Sequence, residues 1–171
     1  SILYLDYDIG DWKPNKYGGR ENLEGIDFLR RLNEVAYANL DNPIIIAEES
    51  TAWPLVTAPT YSGGLGFTYK WNMGWMHDTL EFFKMSPEER KNNYSQLTHS
   101  MNYFYSEKFL LSLSHDEVVH EKATIIQKMN SHREVKFPQA RVLYLYMMTH
   151  PGKKLNFMGN EIGQFREWDE K

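Results

Sequence analysis

Four short apolar runs, each ending in a cluster of polar groups, constrain this chain more than any other feature. They are Ile44-Ile45-Ile46-Ala47 before Glu48 and Glu49, and Gly66-Phe67-Thr68-Tyr69 before Lys70, Trp71 and Asn72. Phe109-Leu110-Leu111-Ser112-Leu113 precedes His115, Asp116 and Glu117, and Leu155-Asn156-Phe157-Met158 precedes Gly159, Asn160 and Glu161. The first run is continuous rather than alternating, which is the pattern of a parallel strand buried on both faces. Helical stretches lie between the runs. Leu23, Ile26, Leu29, Leu32 and Ala36 recur at near-helical spacing, and Ala140, Leu143, Tyr144, Met147 and Met148 form a second stripe that Pro151-Gly152 stops. Ser86-Pro87-Glu88-Glu89 carries a complete start signal: a capping serine, proline at the first position and glutamate at the third. Strands alternating with helices imply βα units and a parallel sheet. The polar clusters then gather at strand C-termini, where both (β/α)8 barrels and doubly wound sheets place their sites.

Composition removes several function classes. The 171 residues are 42% hydrophobic and 15% aromatic, which excludes a disordered chain, and they suffice for one core. A net charge of −4 without a basic segment argues against nucleic acid as a partner. With no cysteine there is neither a disulfide frame nor a thiolate metal site, which suits a cytoplasmic location. No apolar run approaches the ~20 residues of a membrane span, and Ser1 to Asp8 does not read as a signal peptide. The chain opens inside the β-prone phrase Ile2-Leu3-Tyr4-Leu5 and stops at Glu170-Lys171 without a closing element, so both ends read as cuts.

Two strand ends deliver carboxylates. A glutamate directly after Ile44–Ala47 sits at the rim of an apolar core, where partial desolvation raises its pKa as a general acid requires. Its alternative role is a strand-end acid facing water or capping a helix. Glu49 competes with Glu48, because adjacent strand residues point to opposite sides; an outward Glu48 and an inward Glu49 would move the acid assignment to Glu49. At the third run Asp116 is delivered in the same way. Paired carboxylates are the equipment of glycoside chemistry. Zinc is the rival, since His115 and His120 bracket Asp116 and Glu117, but their i, i+5 spacing and the lack of HExxH speak against it. His77, His99, His132 and His150 have no partner pattern, and Gly152-Lys153-Lys154 lacks the upstream glycine of a phosphate loop. Trp53, Trp71, Trp75 and Trp168 are each as suited to filling a core as to stacking on a sugar ring.

At these residues the sequence resembles the glycogen (1,4-α-glucan) branching enzymes of the α-amylase superfamily. Ala47-Glu48-Glu49-Ser50-Thr51 with Trp53-Pro54 resembles their fifth-strand motif. Gly63-Gly64-Leu65-Gly66-Phe67 with Tyr69 through Met76 resembles the sixth, Leu113 through His120 the seventh, and His150 through Gln164 the eighth. Tyr17-Gly18-Gly19-Arg20-Glu21-Asn22 matches the stretch after the fourth strand. The motifs keep the family's order over nearly the whole chain. The resemblance implies an α/β fold, the second half of a (β/α)8 TIM barrel from about the end of strand four to strand eight, with residues 1–171 forming one partial catalytic domain truncated at both ends.

By motif, Glu48 resembles the general acid/base, Asp116 the transition-state stabiliser and His115 the histidine that binds a sugar hydroxyl. Trp53, Trp71 and Trp75 are candidate substrate platforms. The family's nucleophile is an aspartate in an Arg-Val-Asp-Ala phrase, which would precede Ser1 and is absent here. The implied substrate is α-1,4-glucan, with no metal, no organic cofactor and no membrane involved. Branch transfer by retaining chemistry is the expected reaction; an amylase-type hydrolase and a non-catalytic glucan-binding piece are the alternatives. Residues 1–171 alone are expected to be inactive, with Ile44, Ile46 and Leu113 partly exposed as in an open half-barrel. Glu121 stands where the family pattern has glycine after His120.

Overall fold

A computed structural model describes residues 1–5 and 13–169. Asp6 and Asp8, the acids nearest the expected nucleophile phrase, lie outside the described residues. The chain divides into two compact units, one made of residues 1–71 with 105–108, the other of residues 72–104 with 109–171.

In the first unit α1 (Leu23–Asn39) starts at Asn22, whose side chain accepts a hydrogen bond from the Gly25 backbone N–H at 3.1 Å. Its inner face buries Ile26 and also Asn33, which donates to the Leu65 carbonyl at 2.7 Å. The strand β1 (Ile46–Ala47) runs parallel to β2 (Tyr69–Trp71), with Ile46 opposite Tyr69 and Ala47 opposite Lys70. Ala47 packs with Leu3, Ile26, Val56 and Leu65 into this unit's core. Both strands are shorter than the apolar runs suggest. Gly66 adopts φ +83°, a left-handed conformation that no strand residue takes, so the run beginning at Gly66 becomes a strand only at Tyr69.

In the second unit α2 (Met73–Lys84) is capped by Asn72, which accepts from the Trp75 N–H at 2.9 Å. Next come α3 (Pro87–Asn93) and the single turn α4 (Ser95–Thr98). The capping box read from Ser86 and Glu89 is present in full. The strand β3 (Phe109–Leu113) pairs in parallel with β4 (Lys153–Asn156), from Leu110 opposite Lys153 to Leu113 opposite Asn156. Between them lie α5 (Ile125–Lys128) and α6 (Arg133–Thr149). The core joins Trp75, Leu80 and Phe83 of α2 to Leu111 and Leu113 of β3 and to Leu143 and Met147 of α6. Leu113, expected to be partly exposed, is fully buried, because the side chains of α2, α5 and α6 gather in the same cluster. The expectation of an exposed apolar face holds for Ile44 and Ile46, which are 69% and 37% exposed.

Parallel strand pairing with intervening helices makes this an α/β fold. Among the described residues no helix is long and apolar enough to cross a membrane.

Candidate active-site residues

Each unit presents a carboxylate just past a parallel strand. In the first unit β1 ends at Ala47, and the chain turns through Glu48 to Thr51. Ala47 and Glu49 are buried, whereas Ile46 and Glu48 are exposed, so the alternation of the strand carries into the turn. Glu49 is the inward member of the pair. Its carboxylate accepts from the Ser1 hydroxyl at 2.5 Å and from the Thr51 backbone N–H at 2.8 Å. Burial pushes its pKa up, but these bonds and the positive charge of Lys70 outweigh burial and hold it below the usual carboxylate range.

Lys70 of β2 is itself 6% exposed, and its ammonium donates to the Thr51 carbonyl at 2.8 Å. Burial lowers its pKa, while the charges of Glu107 and Glu49 act to restore it. Glu107 in turn accepts from the backbone N–H groups of Val56 and Thr57, both at 2.8 Å, and from the Thr57 hydroxyl at 2.5 Å. The sequence offered one signal of this network, a lysine alternating onto the buried face of a strand. Lysine is almost never fully buried without partners.

In the second unit β3 leads through buried Ser114 into a single turn of 3-10 helix, His115–Glu117. His115 Nε2 lies 3.1 Å from an Asp116 carboxylate oxygen, and both side chains are about half exposed. The His115 ring packs edge-on against Trp168 at 5.7 Å and lies 6.0 Å from Phe157. The segment after Asp116 contains three residues in left-handed conformations, His120, Glu121 and Ala123. Two charged groups hold it. The Lys128 ammonium donates to the carbonyls of Glu117, Lys122 and Ala123 at 2.5, 2.6 and 2.5 Å, and the Glu167 carboxylate accepts from the N–H groups of Glu121 and Ala123 at 2.9 and 2.6 Å. Burial pushes Lys128 down to about 8. Neither role is visible in sequence spacing, because both depend on backbone groups rather than on side-chain pattern.

The tryptophans separate. Trp75 is 1% exposed in the second unit's core, so it fills a core and has no face for a sugar. Trp53 is half-buried, meeting the Tyr4 ring edge-on at 5.4 Å, and Trp71 is half-buried on β2. A cavity of about 280 Å³ in the second unit, lined by Asp78, Ser95, Gln96, Thr98, His99 and Asn102, includes neither Asp116 nor His115. Among the described residues no three His, Asp or Glu side chains converge in a way that would hold a metal ion.

No family model matches the chain. Individual proteins do. The chain is 57% identical over 173 residues to the 1,4-alpha-glucan branching enzyme GlgB of Halothermothrix orenii, covering 100% of this chain and 28% of that protein. It is 58% identical over 169 residues to GlgB of Aquifex aeolicus, covering 99% and 27%. For GlgB of Rhodopirellula baltica the values are 57% over 171 residues, 99% and 23%. The chain spans about a quarter of the length of these curated relatives. Over essentially its whole length, then, this chain is similar to one part of the 1,4-alpha-glucan branching enzymes, the family its motifs resemble.

Proposed function

We propose that this chain carries the acid/base and the transition-state-stabilising carboxylates of a 1,4-α-glucan branching enzyme, on the second half of a (β/α)8 barrel. The observation that carries the reading is 57% identity to a protein of that name over a match that takes in the whole of this chain, both carboxylate-bearing segments included. Parallel pairing of β1 with β2 and of β3 with β4 supports the barrel. So does the uncovered face of Ile44 and Ile46, the kind of surface a closed barrel turns inward.

Glu48 is the acid/base and Glu49 is not. The orientation found, Glu48 outward and Glu49 inward, is the one that by orientation alone would move the assignment to Glu49. The motif and the chemistry keep it at Glu48, since a carboxylate committed to Ser1 and Thr51 and held below its usual pKa is poorly suited to giving a proton at neutral pH. Glu48 shares the exposed face of Ile46. In the reaction Glu48 protonates the oxygen of an α-1,4 bond while an aspartate outside residues 1–171 attacks the anomeric carbon, forming a glycosyl ester. Asp116 stabilises the positive charge that develops on the sugar, and His115 binds a sugar hydroxyl. Glu48 then takes the proton from the 6-hydroxyl of an acceptor chain, whose oxygen displaces the ester to form an α-1,6 branch. Trp53 and Trp71 remain as sugar platforms. The substrate is α-1,4-glucan and the setting is the cytoplasm.

In the full-length gene product, amylose should lose iodine colour while reducing ends stay nearly constant, and Glu48→Gln should abolish this, since an amide cannot exchange the proton. Rapid growth of reducing ends would replace transfer by hydrolysis. Retention on a glucan gel without turnover would leave only binding.

A further inference from the structure

We infer that Lys70 is a positioning residue for Glu48, acting through the turn that carries it; the inference rests on the assignment of Glu48 as acid/base. The turn Glu48–Thr51 follows a strand of only two residues, so little of it is fixed by ladder hydrogen bonds. What fixes it are two groups gripping one residue from opposite sides. The Glu49 carboxylate takes the Thr51 N–H at 2.8 Å, and the Lys70 ammonium gives to the Thr51 carbonyl at 2.8 Å. The register explains why Lys70 can reach. It lies opposite Ala47 in the parallel pair, one residue before Glu48, and on the buried side of the sheet.

A lysine 6% exposed is kept in that place by charge. Glu49 and Glu107 both favour its ammonium form, and each holds backbone N–H groups of its own. The three charges therefore connect β2 to the Glu48 turn and to the following segment at Val56 and Thr57. Removing the ammonium takes the donor from the Thr51 carbonyl and leaves two acids without their shared counter-charge. The bonds these groups make run to the Thr51 backbone, so they act on the Glu48 carboxyl through the backbone they fix. Proton transfer to a glycosidic oxygen is sensitive to displacements of about 1 Å, which can lower rates ~100-fold. Ground-state binding of a long glucan spreads over many contacts and depends little on this one.

The test is a cycle in the full-length enzyme, read as kcat and KM for amylose branching with thermal melting in parallel. Lys70→Met should lower kcat roughly 100-fold with KM within about threefold, and Lys70→Arg should recover part of the loss. Glu48→Gln removes turnover, so that background is read by binding: amylose affinity in Glu48→Gln should change by no more than about threefold when Lys70→Met is added, because a group that acts through Glu48 serves proton transfer rather than ground-state binding. A full kcat in a folded Lys70→Met protein, or a loss of amylose affinity in the Glu48→Gln background as large as the loss of kcat, would overturn the inference. If Lys70→Met does not fold, Lys70→Arg decides in its place: a reduced kcat with unchanged amylose affinity in the Glu48→Gln background supports the role, and any other pattern removes it. An active Glu48→Gln enzyme would sink the acid/base assignment itself, which distinguishes that failure from this one.

Discussion

The backbone N–H of Glu121 donates to the Glu167 carboxylate at 2.9 Å, and it does so from a left-handed conformation with φ +62°. The bond joins the segment after Asp116 to the stretch that places Trp168 against His115. The left-handed conformation suits the glycine that the resemblance leads one to expect here: a left-handed residue with a Cβ is strained by ~1–2 kcal/mol.

Replacing Glu121 by glycine should therefore stabilise the protein. The side chain is exposed, and the bond to Glu167 uses a backbone group that glycine keeps. Relief of strain exceeds the added freedom of glycine in the unfolded chain by roughly 0.5–1 kcal/mol. For a protein of this size that corresponds to a rise in Tm of about 1–4 °C. A fall in Tm would show that Glu121 makes a side-chain contact worth more than its strain.

Glu167→Ala should act in the opposite direction. It leaves the N–H groups of Glu121 and Ala123 without their acceptor, and the loss of two hydrogen bonds to a charged group should destabilise by about 2–3 kcal/mol. Amide exchange separates this from a general loss of stability. Protection should drop at Glu121 and Ala123 while the amides of α6 stay slow. Uniform loss of protection would mean that the segment unfolds only with the whole unit.

Lys128 makes stability depend on pH in a specific window. Burial lowers its pKa in the folded protein to about 8 from the ordinary lysine value of 10.5. Between these two values the unfolded chain holds more protons than the folded one, so stability rises with pH through the window. The contribution is present above pH 10.5 and is lost as pH falls through about 8. Denaturation measured from pH 7 to 10 should show this rise in the native protein, and Lys128→Met should flatten it. A slope unchanged by the substitution would assign the titration to another group.

How much of this was legible in the sequence depends on whether the cause was local. The capping box at Ser86 was readable because all its parts lie within four residues. Strand ends were displaced where the cause lay elsewhere. The run Leu155–Met158 appears as β4 at Lys153–Asn156, since pairing with Leu110–Leu113 recruits Lys153 and Lys154, which stand before the apolar run. Glu48 and Asp116 stand out in the sequence because strand-end position and motif both mark them. The groups around them do not, since the Ser1 hydroxyl reaches Glu49 across 48 residues and Glu167 reaches Ala123 across 44. Trp75 was undecided by sequence because a tryptophan's role depends on whether α2 turns it inward, and α2 does.

Trp75→Ala should consequently be a stability variant rather than a binding variant. Removing a fully buried indole leaves a cavity among Tyr146, His150 and the core of α2, at a cost of about 3–5 kcal/mol. Trp75→Phe should retain most of the stability. If KM for glucan rises in folded Trp75→Phe protein while Tm is unchanged, the core assignment fails.

Residues 1–171 by themselves should show no branching activity. The carboxylates proposed as acid/base and stabiliser, Glu48 and Asp116, are both among them, but no phrase in the chain matches the Arg-Val-Asp-Ala motif of the nucleophile that the resemblance implies. Covalent catalysis does not decline in proportion when one member of such a set is removed; the set acts as a unit. A second obstacle is physical. Ile44 at 69% and Ile46 at 37% exposure present apolar surface beside a two-residue strand, which favours association of chains over solution of substrate. Association of two copies could cover that surface and would still supply no nucleophile, unless Asp6 or Asp8 served as one. The measurement is amylose branching by the isolated chain at high protein concentration, alongside its solubility. Absence of turnover in soluble material is the expected result. Clear turnover that disappears in Asp6→Asn or Asp8→Asn would place the nucleophile within this chain and overturn the assignment of an external aspartate.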